Sequence, residues 1–337
     1  MQPTLQVSGN NVLTIETPTP QMAFPGLAIA VILPCYNEEA AIGAVVGAFR
    51  RELPQAQVYV YDNNSKDRTV AEAVAAGAIV RSETLQGKGN VVRRMFADVD
   101  ADVYLMCDGD ITYDAASAPA LIAKLVDDNL DMVVGCRVDN AAAAYRAGHR
   151  LGNALFTGFV ARLFGNRFTD ILSGYRVFSR RYVKSFPALS NGFEIETELT
   201  VHALELRMPI GELDTPYGAR LEGSSSKLST YRDGWRILLM ITKLFKNERP
   251  LFFFALIFGV LALAALGLSI PVLLTYLRTG LVPRLPTAVL AASTMLLAFL
   301  ALTCGLVLDT VTHGRREIKR LAYLTVPSVG ALAGKAQ

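Results

Sequence analysis

Between residues 25 and 136 the chain alternates short, wholly apolar runs with longer stretches whose apolar positions recur every three or four residues. The first apolar run, 27–33, reads as a strand buried on both faces, ended by Pro34. Residues 39–53 put Ile42, Val45, Val46 and Phe49 on one helical face. The same reading predicts a strand at 58–61, a helix at 69–76 closed by Gly77, and a strand at 78–81. Gly87-Lys88-Gly89 then forms a loop leading into a helix over about 90–99, followed by a strand at 103–107, a helix over about 115–128 and a strand at 132–135. Such strand–helix repetition predicts an α/β fold with a mostly parallel, doubly wound sheet. Ligands of such sheets sit beyond the carboxyl ends of the strands. Asn37, Asp62 and Asp108 each lie just past a predicted strand end, so one crevice would collect them.

From 140 to about 230 the pattern is less regular. Helices are expected at 150–164 and 193–206, the latter carrying Glu194, Glu196 and Glu198, with a short strand near 174–178 and a flexible Gly223-Ser-Ser-Ser-Lys227 loop. In 231–247, Arg232, Arg236, Lys243 and Asn247 share one helical face, and Trp235, Leu238, Leu239, Ile241, Leu244 and Phe245 cover most of the rest. That pattern predicts an amphipathic helix in a membrane interface over 231–250. Residues 251–277 and 286–312 are each long enough to span about 30 Å of hydrocarbon, and neither holds a charge before Asp309. The short linker 278–285 makes them a hairpin. Lys243, Lys246 and Arg249 precede the pair, Arg315, Arg316, Lys319 and Arg320 follow it, and only Arg278 and Arg284 lie between. By the positive-inside rule both flanks face the cytoplasm. The chain thus divides into a flexible tail (1–24), a catalytic-type domain (25–230), the interfacial helix, the two spans and a cytoplasmic tail (313–337).

Composition narrows the function classes. Hydrophobic residues make up 52% of the 337 positions, and the excess is concentrated in 251–312. A net charge of +3 gives no case for nucleic acid as a partner. Cys35, Cys107, Cys136 and Cys304 have no metal-ligand spacing and read as unpaired thiols in a reducing compartment. The first 24 residues lack the basic start and apolar core of a signal peptide. The three histidines, His149, His202 and His313, form no metal set.

The chemistry concentrates in Asp108-Gly-Asp110, two carboxylates at a strand end that can gather a hard divalent cation and a diphosphate beside it. Alone, the tripeptide is equally a turn. Lys88 between two glycines can meet a phosphate, or be a solvated loop lysine; the sequence around it is neither a Walker A motif nor a complete GxGxxG. Asp62 can accept from the N–H of a base, or cap a turn.

Taken in order, Pro34-Cys-Tyr-Asn-Glu38, Asp62-Asn-Asn-Ser-Lys-Asp67, Gly87-Lys-Gly89 and Asp108-Gly-Asp110 resemble the inverting family 2 glycosyltransferases of GT-A fold, over residues 28–230. Asp170-Ile-Leu-Ser-Gly-Tyr-Arg176, the segment ending Ile195-Glu196, and Arg220 followed by Gly223-Ser-Ser-Ser-Lys227 resemble elements of the polyprenyl-phosphate glycosyltransferases, the dolichyl-phosphate mannosyltransferase type. The resemblance implies a Rossmann-like GT-A domain, followed by the interfacial helix and a two-helix transmembrane hairpin. It implies that Pro34, Tyr36, Glu38, Asp62, Lys88 and Asp108 bind a nucleotide sugar, that Asp108 and Asp110 hold Mg²⁺ or Mn²⁺, and that Asp108 bonds ribose or metal. Asp110, Asp170, Arg176 and Glu196 become catalytic candidates. Arg150, Ser173, Arg220 and Lys227 become candidates for phosphate or lipid phosphate, and Arg176, like Arg150 and Arg220, could clamp a phosphate bidentately. Many relatives have Gln where this chain has Thr112, which changes how the metal's coordination is completed. The implied reaction is inverting transfer of one sugar from a UDP- or GDP-linked donor to polyprenyl (undecaprenyl-type) phosphate. The implied setting is the cytoplasmic face of the bacterial inner membrane, with both termini cytoplasmic and the protein a homo-oligomer. The alternatives are another lipid or glycan acceptor, or a non-catalytic membrane scaffold.

Overall fold

The computed structural model describes residues 24–139, 169–192, 194–218, 242–243 and 245–334. Seven strands, β1 (Ile29–Cys35), β2 (Gln57–Asp62), β3 (Ile79–Ser82), β4 (Val103–Met106), β5 (Met132–Asp139), β6 (Arg176–Ser179) and β7 (Ile210–Tyr217), form one sheet in the order β3-β2-β1-β4-β6-β5-β7. Pairings β1–β2, β1–β4, β2–β3 and β5–β7 are parallel, and β6 is antiparallel to both its neighbours. The sheet is therefore mostly parallel, with one reversed strand.

Strand periodicity sends successive residues to opposite faces. Ala30, Ile32, Tyr104 and Met106 enter a core with Val92, Met95, Phe96, Phe178, Tyr182 and Leu199. Val31, Leu33, Val103 and Leu105 enter a second core with Ile42, Val46, Phe49, Leu121 and Leu125. Helices α3 (Lys88–Asp98) and α6 (Ile195–Glu205) cover the first face, and α1 (Ile42–Glu52) and α4 (Ala118–Asp127) the second. Helices α2 (Thr69–Ala75) and α5 (Arg180–Ser185) complete the domain.

Several boundaries differ from the sequence reading, and two elements are new. Strand β1 continues through Pro34, which pairs with Tyr61. Pro34 points its missing N–H to the β4 side, where pairing already ends at Ile32 and Met106, so no ladder bond is lost. Helix α3 starts at Lys88 instead of 90, because Gly87 takes φ +131° and turns the chain straight into the helix. Strand β7 and helix α5 had no counterpart in the reading. Strand β7 carries charged positions and Pro216 at the sheet edge, where little apolar pattern is required. The expected helix at 150–164, the loop at 223–227 and most of 231–247 lie outside the described residues, as do residues 1–23; of the interfacial segment, 242–243 and 245–248 are helical.

Two long helices follow, α7 (Pro250–Thr279) and α8 (Leu285–Leu324), joined by a turn whose Gly280 adopts φ +67°. Both are long and apolar enough to cross a membrane, and only 6% and 17% of their most apolar windows are buried, unlike helices of a soluble core. Ala291, Ala298, Gly305 and Thr312 are the buried positions of α8. Their seven-residue spacing is a seam of small side chains that brings the helices close. A Cβ on Gly305 would lie 2.8 Å from that of Phe254.

Beyond residue 312, where a tail was expected, α8 continues to Leu324 and docks on the catalytic-type domain. Arg316 bonds Glu205 at 3.0 Å and Glu248 at 3.2 Å, Lys319 bonds Glu205 at 2.7 Å, and Tyr323 Oη donates to Asp131 at 2.9 Å. The guanidinium of Arg181 lies over the Tyr323 ring at 4.7 Å. A last helix, α9 (Val329–Ala333), buries Val329 in the second core. The segment is helical and docked because it carries the cations that neutralise a buried glutamate.

Candidate active site

The carboxyl ends of β1, β2 and β4 open on one crevice, whose rim is two loops stitched together. Asn37 N–H donates to Ser65 Oγ at 2.8 Å, and Lys66 N–H to Asn37 Oδ1 at 2.8 Å. Glu38 N–H donates to Thr69 Oγ1 at 2.8 Å, and Arg68 N–H to Glu39 Oε2 at 2.9 Å. Asn37 accepts the left-handed conformation, φ +55°, that the reversal requires. Pro34 thus lies at the end of β1, and Tyr36 and Glu38 follow in a loop whose backbone is fixed by its neighbour. Asp62 ends β2, is buried, and accepts the Ser65 N–H. Beside it Asn63, which sequence reasoning passed over, donates to the carbonyls of Glu83 and Leu85 and accepts from Gly87 N–H at 2.7 Å. Asn63 thereby ties the Asp62 loop to the turn that presents Lys88.

Lys88, expected in a solvated loop or at a phosphate, is the first residue of α3, and its side chain is only 11% exposed. Its ammonium bonds the carboxylates of Asp108 and, at 2.6 Å, Glu196. Burial lowers its pKa, and the two carboxylates more than reverse this, leaving it raised. The flanking glycines are required by a close approach: a Cβ on Gly87 or Gly89 would lie 2.1 Å from the carbonyl oxygen of Asn191 or Ser190. The segment 188–192 is held down in turn by Glu198, which accepts from the N–H of Leu189 at 2.8 Å and Ser190 at 2.7 Å. Glu198 is therefore committed to this segment.

In Asp108-Gly-Asp110 the glycine has no room for a side chain, since a Cβ would lie 2.4 Å from Cys35 Sγ. Asp110 is buried and accepts from the Thr112 hydroxyl. Thr112 thus orients Asp110. On the far side of Asp108, a Cβ on Gly174 would lie 2.6 Å from Asp108 Oδ2, and Gly174 N–H donates to Tyr113 Oη at 2.9 Å. The 170–176 segment therefore forms one wall of the site.

Within that wall the expected roles change. Arg176 is fully buried; it donates to the carbonyls of Ser173 and Ile171 and to Thr200 Oγ1. Burial lowers its pKa. A guanidinium spent on these groups positions the wall and is not a phosphate clamp. Ser173 is also fully buried, its hydroxyl donating to the Gly135 carbonyl at 2.6 Å, so it joins the wall to β5 instead of binding phosphate. Asp170 is held by a two-pronged pair with Arg137, at 2.7 and 2.8 Å. Arg137, on β5, was not predicted, and nothing in its local sequence marks it. Arg150, Arg220 and Lys227 lie outside the described residues.

Comparison with known proteins now bears on this geometry. Residues 30–186 match the family described as glycosyl transferase family 2. Glycosyltransferase AglJ of Haloferax volcanii is 33% identical over 300 residues, covering 88% of this chain and 98% of that one. The chain belongs to glycosyl transferase family 2. Another Haloferax volcanii relative, a dolichyl-phosphate hexose transferase, is 29% identical to this glycosyltransferase over 66% of the chain and 95% of its own length. Among solved structures, the glucosyl-3-phosphoglycerate synthase of Mycobacterium tuberculosis, crystallised with Mn²⁺, UDP and its product, shares the fold with a TM-score of 0.55 and 23% identity. The match covers 66% of this chain and 80% of that one.

A divalent cation suits the donor set of this family 2 enzyme. Among the described residues no group of three or more acids, histidines or cysteines could hold a metal. Asp108 and Asp110 are two carboxylates, and Mg²⁺ is commonly held by one or two carboxylates with substrate phosphates supplying the remaining oxygens.

Proposed function

We propose that the protein transfers one hexose, with inversion, from a nucleotide diphosphate sugar to polyprenyl phosphate at the cytoplasmic face of a membrane. The reading rests above all on one observation: the catalytic domain is locked by Arg316 and Lys319 to a hairpin of two exposed apolar helices. An enzyme fastened to such a hairpin is placed for an acceptor that resides in a bilayer. The relative named dolichyl-phosphate hexose transferase supports the same class of acceptor.

In this reading Asp62, with Pro34 at the end of β1 and the loop bearing Tyr36 and Glu38, receives the nucleotide. Asp110, held by Thr112, and Asp108 carry Mg²⁺ or Mn²⁺. The cation supplies neutralisation of charge on the departing diphosphate. The bond from the anomeric carbon to the diphosphate breaks as a lipid phosphate oxygen attacks from the opposite side, and the nucleoside diphosphate leaves. A lipid phosphate is already anionic, so no strong general base is needed. Asp170, fixed by Arg137, and Glu196, fixed by Lys88, position the sugar and acceptor. Arg150, Arg220 and Lys227 are proposed to meet phosphate groups.

The test is a panel of labelled UDP- and GDP-sugars with polyprenyl phosphate and Mg²⁺ or Mn²⁺, followed by organic extraction. Label in an acid-labile organic-phase product is expected. Label only in water-soluble product, or preference for diacylglycerol, overturns the acceptor.

A further inference from the structure

Lys88 stands where a cation-binding site would not be expected to place a permanent positive charge. Its ammonium bonds Asp108 Oδ1, and the other oxygen of Asp108 is the one that faces Gly174. Asp108 is thus enclosed on both sides, by a cation and by backbone. Asp110 accepts from the neutral Thr112 hydroxyl and offers the buried, oriented carboxylate that a hard ion needs. Lys88 has little freedom to leave. Gly87 and Gly89 are pressed under the Asn191 and Ser190 carbonyls, and Glu196, 8% exposed, grips the ammonium at 2.6 Å.

We propose that Lys88 is a fixed counter-cation that claims Asp108 and lowers the affinity of the Asp-Gly-Asp site for a divalent ion until the donor's diphosphate contributes its own oxygens. The physical reason is direct. Asp108, Asp110 and Glu196 bring three carboxylate charges to one partly buried site, a strong trap for any divalent ion. Lys88 removes one of the three, shares a carboxylate with the incoming ion and repels it. Metal and nucleotide then bind together, and the site does not hold an ion that would block entry or attract phosphates other than the donor. Lys88 acts here as a positioning residue, through Asp108. The inference rests on the metal role proposed above for Asp110.

The experiment titrates the full-length, detergent-solubilised protein with Mn²⁺ alone and follows the free-ion paramagnetic resonance signal, with and without UDP or GDP. Wild type should bind Mn²⁺ weakly until a nucleotide is added. Lys88→Met should bind Mn²⁺ alone tighter by on the order of tenfold, and the gain should vanish in the Lys88→Met, Asp108→Asn double variant. Lys88→Arg, which keeps the charge, should behave as wild type. Unchanged or weaker binding in folded Lys88→Met overturns the proposal. Should that variant fail to fold, Glu196→Gln serves: it leaves the Lys88 charge less neutralised and should weaken Mn²⁺ binding several-fold, and tighter binding overturns the proposal. Asp110→Asn separates the two readings. If it leaves Mn²⁺ binding intact, the metal role itself fails; if it abolishes binding while Lys88→Met changes nothing, only the counter-cation role fails.

Discussion

A carboxylate and a guanidinium in the same crevice carry opposite lessons. Asp110 sits where the sequence put it, past the fourth strand, and the Thr112 hydroxyl donates to its carboxylate. Asp110→Asn removes one negative charge with little change in volume. Transfer should fall by about two orders of magnitude or more, with the thermal midpoint unchanged; a labelled-sugar transfer assay paired with a melting curve measures both. Arg176 looked like a partner for phosphate because it ends a motif and carries the right side chain. Its environment instead consists of the carbonyls of Ile171 and Ser173 and the Thr200 hydroxyl. Arg176→Met should therefore destabilise the fold by about 3 kcal/mol, through carbonyls left without donors, and a lowered melting midpoint reports it. A phosphate clamp would lose activity at constant stability. Both residues stand at predicted positions; only burial and partners tell them apart.

Helix α6 shows how one element serves several purposes. Its first turn gives Glu196 to the site and Glu198 to the 188–192 segment, and its end gives Glu205 to the clamp. About 14 Å of helix separates the first from the last. In between, His202 is buried against Tyr182 and Phe186, with Nε2 3.1 Å from Ser185 Oγ and Nδ1 without a hydrogen-bond partner among the described residues. Burial, with a smaller contribution from Lys319, pushes its pKa down to about 3. A group that ionises more readily when unfolded contributes its full stability above its ordinary pKa of about 6.5 and loses it as pH falls towards the folded value. The stability of the protein should decline with acidification between those limits. His202→Gln should flatten that decline by up to about 1.4 kcal/mol per pH unit, seen in melting midpoints taken from pH 6.5 to 4.5. The helical pattern of α6 was legible because its apolar residues recur. The division of its glutamates was not, because three acids on one helix look alike until their neighbours are known.

At the scale of the whole molecule, the apolar helical hairpin and the catalytic domain form one connected structure. Glu205 is shared by Arg316 and Lys319, and Arg316 also holds Glu248, whose pKa is raised by burial and by Glu205. Glu205→Ala removes the common partner, leaving Arg316 with Glu248 alone and taking from Lys319 the carboxylate it bonds. The Michaelis constant for long-chain polyprenyl phosphate should rise by about tenfold, about 1.4 kcal/mol, while nucleotide affinity measured by calorimetry stays unchanged. An equal loss of nucleotide affinity would mean that the clamp supports the fold at large and not the lipid acceptor. Sequence periodicity found the two long apolar helices but read the residues after them as a tail. Charged residues beyond a span satisfy the positive-inside rule whether they stay in water or dock on a protein surface, so composition alone cannot separate the two.

What the sequence determined by itself is what depends on neighbours in the chain. The alternation of apolar runs and helical stripes, the small and polar residues at strand ends, and the length of the two apolar segments are local features, and each has a local physical cause in backbone geometry or solvation. The tertiary structure decided what depends on distance across the fold. It paired Arg137 with Asp170 from separate segments, turned Arg176 and Ser173 inward, placed Lys88 between Asp108 and Glu196, and brought Arg316 to Glu205. A charged side chain has the same identity in the sequence whatever it meets. Its role is fixed only when folding sets its burial and supplies its counter-charge, because those two quantities determine whether it is free for a substrate or already used by the protein.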